Sequence, residues 1–142
     1  MSSMTDAAEI EALFQRLARA HADHDGEAIV AAYAPDAVIY DLAPPLGRRG
    51  MSHDSVVAWL AGWEGPIRTD AHDVTLVVDN HLAFVSALNR LRGRQACEDQ
   101  DMWYRTTICL RRTRGKWRIV CDYSSVPFYM DGSYRAAVDL KP

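Results

Sequence analysis

Arg105, Trp103 and Tyr123 offer the clearest recognition chemistry in the second half of the chain. Over residues 98–112, alternation places Asp101, Trp103, Arg105, Thr107 and Cys109 on one face and Met102, Tyr104, Thr106, Ile108 and Leu110 on the other. If the first face looks inward, Trp103 packs on a ligand, and the Arg105 guanidinium binds a carboxylate or stabilises an enolate-like oxygen through its fixed fork of donors. The competing reading pairs Arg105 with Asp101 or another acid as a structural bridge, because buried charges are usually paired. In the following run Trp117, Ile119, Cys121, Tyr123 and Ser125 share a face, from which Tyr123 can donate a hydrogen bond to a substrate oxygen. Cys121 either lines the same pocket or is a small apolar filler, since no histidine forms a recognisable triad with it.

Trp59 and Trp63 stand one helical turn apart, which suits core packing or an aromatic wall at a pocket mouth that Phe128 and Met130 would close. His21-x-x-His24 with Asp25 supplies too few ligands for zinc, and a surface cluster is the simpler reading. No phosphate loop, Gly-x-Gly-x-x-Gly or Gly-x-Ser-x-Gly motif is present, and neither cofactor nor metal is expected.

The elements that must position these residues follow from periodicity. Asp6 and Glu9 form a capping-box-like start to a first helix carrying Ile10, Leu13, Phe14 and Leu17. Asp25-Gly26 stops it, and Ile29, Val30 and Tyr33 make the inner stripe of a second helix ending at Pro35. Residues 37–41 read as a strand broken by Pro44-Pro45. Ser52 caps a third helix with Val56, Val57, Trp59, Leu60 and Trp63, terminated by Gly65-Pro66. Strands over 73–78, 82–92, 98–112 and 116–124 are separated by turn signals at Asp79-Asn80, Gly93 and Arg114-Gly115. Helices followed by consecutive strands predict an α+β domain, a meander covered on one face by helices.

This order resembles the nuclear-transport-factor-2-like fold, and motifs sharpen the likeness. The run from Asp25-Gly26 through Ala31-Ala32-Tyr33-Ala34-Pro35-Asp36-Ala37-Val38 resembles the family's junction of second helix and first strand. Arg105-Thr106-Thr107 through Gly115-Lys116-Trp117-Arg118-Ile119-Val120 resembles its last hairpin. The tail, Ser125-Val126-Pro127-Phe128 and then residues 136–142, is similar to the ending of a SnoaL-like, ketosteroid-isomerase-related subgroup. The resemblance implies one SnoaL-like domain over 1–142: a cone-shaped, curved antiparallel sheet with three N-terminal helices packed over it, a small-molecule pocket and a homodimer.

The same resemblance makes Asp41 a general-base candidate, because it stands where the isomerases hold theirs. Apolar enclosure raises a carboxyl above its reference value of about 3.9 and makes it a better proton acceptor. Asp41 capping the turn into Leu42-Ala43-Pro44-Pro45 is the alternative. The family's catalytic tyrosine corresponds to Leu17 and its protonated aspartate to about Thr107, so steroid isomerisation by the familiar mechanism is not expected. Cys121-Asp122-Tyr123 stands where related sequences often carry His-x-His. The expectation is a small-molecule-binding domain, either an acid–base enzyme of isomerase, dehydratase or cyclase type acting on a compact, partly apolar carbonyl or carboxylate compound, or a non-catalytic binding or dimeric interaction module.

Composition bounds the rest. A chain of 142 residues, 49% hydrophobic and 25% charged, suits one globular domain with a real core. Sixteen Lys and Arg against nineteen Asp and Glu give a net charge of −3, and the densest basic cluster, Arg111 to Lys116, sits at a hairpin tip, so nucleic acid is not an expected partner. No apolar run approaches a membrane span, the three cysteines lack paired spacing, and the first residues are polar and acidic where a signal would be basic and apolar. The cytoplasm is the expected compartment.

Overall fold

The computed structural model describes residues 5–142; residues 1–4, where the export argument begins, lie outside the described residues. Helix α1 (Asp6–Ala22) is capped one residue earlier than the acidic pattern suggests, by Thr5, whose hydroxyl accepts from the Ala8 amide at 3.2 Å. Asp6 is thereby free to reach across the fold, accepting from Arg112 Nη1 at 2.9 Å and Trp117 Nε1 at 3.3 Å. Asp25 caps α2 (Gly26–Ala31) through the Ala28 amide at 3.1 Å. This helix stops before Tyr33, so Pro35 lies within strand β1 (Tyr33–Tyr40) and does not end the helix. β2 (Arg48–Arg49) follows.

Ser52 caps α3 (His53–Ala61), accepting from the Ser55 amide at 3.3 Å. The expected extension of this helix through Trp63 does not occur: Gly62 closes it, and Trp63 opens β3 (Trp63–Asp79). Gly65-Pro66 falls where the β3–β4 register shifts, a place in a sheet where a residue without an amide hydrogen costs no ladder bond. The meander continues as β4 (Leu82–Gln95), β5 (Glu98–Thr113) and β6 (Lys116–Ser125). Gly115, with φ of +79°, makes the last turn.

The six strands form one sheet in the order β2-β1-β6-β5-β4-β3. It is mixed, where a wholly antiparallel sheet was expected: β1 runs parallel to β6. Consecutive strands joined by tight turns must be antiparallel, but β1 reaches its partner through a long excursion that leaves either direction open.

The three helices cover one face. Ile10 and Leu13 of α1 pack on Ala83, Val85, Ile108, Leu110, Trp117 and Ile119, while Ala20, Ile29, Val56 and Leu60 pack on Trp63 and Ile67. Leu110, Ile119, Ile39 and Ile67 are fully buried, each such side chain worth roughly 1.5–3 kcal/mol. The helix-facing side of β5 is therefore the Thr106, Ile108 and Leu110 face, and Arg105 and Thr107 are exposed on the other.

Candidate functional site

A single extra residue decides what enters the interior. Leu110 pairs with Ile119 and Cys109 pairs with Cys121, so Val120 is inserted in β6 as a bulge. Strict alternation would keep Trp117, Ile119, Cys121, Tyr123 and Ser125 on one face. The bulge divides them: Trp117 and Ile119 face the helices, while Cys121, Tyr123 and Ser125 join Cys109, Thr107 and Arg105 outside. Asp122 and Ser124 turn inward opposite Ile108 and Thr106.

On the inner face the registers align Arg48, Ile39, Asp122, Ile108, Val85 and Leu76 across the six strands. Asp122 is thus a carboxyl set in a largely apolar row. Its Oδ2 accepts from the Tyr33 hydroxyl at 2.6 Å. Burial pushes the Asp122 carboxyl above its ordinary value; the Tyr33 bond and the Arg48 charge pull it back, and the charge of Asp41 pushes it further up. Tyr33 is held well above the usual phenol value, first by burial and then by the charge and bond of Asp122. Tyr104, directly across from Asn89 on β4, is pushed up to about 12, chiefly by burial and then by Asp122, with a bond to Asn89 acting the other way.

Tyr33 also lines an open cavity of about 400 Å³, together with Val30, Pro35, Arg49 and Met51. Asp41 and Arg48 form an ion pair whose side chains are 41% and 36% exposed, and the buried Arg48 Nε has no hydrogen-bond partner among the described residues. A carboxyl lifted by burial, two phenols held protonated and a cation nearby make a set able to move a proton and stabilise a developing oxyanion.

Of the residues singled out from the sequence, Asp41 is the one whose charge reaches this dyad. Arg105 lies outside and donates through Nε to Ser125 Oγ at 3.2 Å, with neither the inward position nor the Asp101 bridge. Asp101 instead takes a two-point contact from Arg90, at 2.8 and 2.6 Å. Trp103, on the outer face, lies between His72, with ring centroids 4.8 Å apart, and the Arg90 guanidinium at 5.7 Å. Tyr123 is exposed and meets Tyr40 edge-on at 5.8 Å, and Cys121 stands beside Cys109 on that same face. Trp63 is buried against Trp59, centroids 5.7 Å apart, and Phe128 is exposed in the tail.

His21 and His24 do not form the expected surface cluster. His21 is largely enclosed against the Trp59 edge, its Nδ1 2.8 Å from the Leu17 carbonyl, and burial lowers its pKa despite that bond. His24 Nε2 lies 2.5 Å from the Gly65 carbonyl. Among the described residues no three His, Cys, Asp or Glu side chains converge as a metal site, and no helix is long and apolar enough to cross a membrane.

The fold matches known proteins. A family model for the SnoaL-like domain matches residues 10–129, and the chain belongs to that family. An NTF2-like protein of unknown function from Pseudomonas putida is 30% identical, with a TM-score of 0.84 over 99% of this chain and 100% of that one. A candidate dehydratase of the NTF2-like family from Streptomyces avermitilis is 16% identical, with a TM-score of 0.73 over 84% and 95% of the two chains. A candidate scytalone dehydratase from Novosphingobium aromaticivorans is also 16% identical, with a TM-score of 0.70 over 84% and 83%. The last two share the fold. No curated protein matches.

Proposed function

We propose that the protein is an acid–base enzyme in which Asp122 and Tyr33 act on a compact, partly apolar carbonyl or carboxylate compound. The observation that carries this reading is the 2.6 Å bond from Tyr33 to a carboxyl that burial has raised. Asp122 takes a proton from the carbon beside the carbonyl, and the phenols of Tyr33 and Tyr104 stabilise the enolate-like oxygen. Asp41 and Arg48 set the electrostatic bias on Asp122 from opposite directions. The enolate-type routes of isomerisation, dehydration and cyclisation begin with this proton abstraction. Candidate dehydratases share this fold, and the proposal carries that reaction type to this chain.

The test is deuterium incorporation beside the carbonyl in heavy water, followed by NMR over a panel of small cyclic ketones, enones and arylacetic acids. Wild-type protein accelerates exchange for at least one compound, and Asp122→Asn lowers that acceleration by about 10²–10⁴-fold. Exchange that is equally fast in Asp122→Asn refutes the assignment.

A second reading, a binding module without turnover, is favoured by the Leu17 and Thr107 positions, where the related isomerases hold catalytic groups. It predicts saturable binding of a panel compound, no exchange, and recovery of that compound unchanged. A homodimer in the cytoplasm completes our proposal on the strength of the family; sedimentation velocity showing only a species of one chain's mass removes the dimer.

A further inference from the structure

The outer face of the sheet carries a second pair of groups that the proposed chemistry does not use. Cys109 on β5 and Cys121 on β6 are directly opposed in register, and both are free thiols. Their side chains lie on the same, outer face of the sheet. Directly opposed residues of antiparallel strands have Cα atoms about 4.5–5.5 Å apart, inside the roughly 4.4–6.8 Å that a disulfide spans, so the register brings the two within disulfide reach. Both residues are half-buried. The third cysteine, Cys97, is exposed at the opposite end of β5 and contacts Glu64, so it does not compete for either partner.

We propose that Cys109 and Cys121 are an oxidisable dithiol, a modification site that closes an intrachain disulfide between β5 and β6 when the protein meets a peroxide. One thiolate attacks a peroxide oxygen, breaking the O–O bond; with its own proton, the departing hydroxide leaves as water, and the sulfur becomes a sulfenic acid. The second thiol sulfur then displaces the sulfenic hydroxyl, which takes up that thiol's proton and leaves as a second water. Two thiols lose two electrons, and hydrogen peroxide is reduced to two waters. Burial, with Cys109 and then Asp122 beside it, holds the Cys121 thiol above its ordinary value, which suits Cys121 to the second step as the thiol that displaces the sulfenic hydroxyl. The new bond joins residues that flank the Val120 bulge, and it pins the register that turns Asp122 inward.

The experiment uses the full chain carrying Cys97→Ser, treated with hydrogen peroxide in its folded state. The expected result is loss of both titratable thiols, an intact mass lower by two hydrogens, and a disulfide between the tryptic peptides that contain Cys109 and Cys121, all reversed by dithiothreitol. Peptide mapping locates the bond without reference to activity. In the same background, Cys121→Ser abolishes the mass loss and leaves an oxygen adduct on Cys109. The proposal is overturned if peroxide leaves only oxygen adducts on the two-cysteine chain, if the disulfide joins two chains on a non-reducing gel, or if both thiols survive peroxide that oxidises Cys97 in the wild type.

Discussion

The Tyr33 hydroxyl reaches the Asp122 carboxyl at 2.6 Å across 89 positions of chain. Tyr33→Phe leaves that carboxyl buried without its donor, and a stranded polar group of this kind costs about 1–3 kcal/mol. Urea denaturation at pH 7 should show this loss. The substitution also removes one of the groups that lower the Asp122 pKa, so the acid limb of any pH–rate profile moves to higher pH.

Asp122 should also make stability depend on pH. Its folded pKa is raised, so below about 3.9 folded and unfolded chains both hold the proton, and the group contributes no difference. As pH rises from there, the unfolded chain releases its proton first and stability falls until the folded carboxyl ionises as well. Asp122→Asn removes this slope: relative to the wild type, its stability should increase from pH 4 toward neutrality, measured by denaturation at each pH. A difference that stays flat across this range would mean that Asp122 titrates alike in both states.

Arg48→Gln separates field from fold. Arg48 lowers the Asp122 pKa, whereas its ion pair with Asp41 is more than a third exposed and worth about 0–1 kcal/mol. The variant should therefore be destabilised by less than about 1 kcal/mol while its pH–rate profile shifts upward. Calorimetry and exchange kinetics read the two effects separately.

Gly93→Ala tests the packing that places Trp63 on the sheet. A Cβ at Gly93 would stand 2.9 Å from the Trp63 ring, and overpacking of this kind costs about 1–3 kcal/mol. Chemical denaturation should show the loss, with quenching or shift of tryptophan fluorescence reporting the displaced indole.

Deletion of Val120 would remove the bulge and restore simple alternation along β6. Ile119 then stays opposite Leu110 and Cys121 opposite Cys109, so Asp122 and Ser124 still face inward and the Tyr33 bond is kept. The expected outcome is a soluble, folded chain with the dyad intact, for the deletion as for Val120→Ala. Circular dichroism and yield of soluble protein check this; loss of the fold on deletion alone would show that the bulge itself is required.

The three helices, the meander and the family were legible in the sequence because each helix carries a stripe of apolar residues and each turn its Gly, Asn or Asp. The pairing of Asp122 with Tyr33 was not, and the reason is local. Nothing in Ile119-Val120-Cys121 marks an inserted residue, so alternation carried Tyr123 and Cys121 inward and hid Asp122 between them. The likeness of Cys121-Asp122-Tyr123 to a His-x-His segment was the signal that could have drawn attention to Asp122. Tyr33 was assigned to the second helix because it continues the Ile29 and Val30 stripe, yet α2 ends two residues before it and β1 presents the ring to Asp122. Trp63 misled in the same way: its spacing from Trp59 fits a helix, and the two rings do meet, but across the turn from α3 into β3.

The parallel pairing of β1 with β6 sets the order in which a growing chain can be completed. β3, β4, β5 and β6 can zip up as neighbouring hairpins, each closing a short loop. β1 is synthesised before all of them, yet it must stay unpaired with its main partner until the last of them has been made, and such long-range closure is the slow kind. A nascent chain halted before β6 therefore carries Tyr33 without Asp122, and the hydrogen bond between them forms only once the final strand is in place.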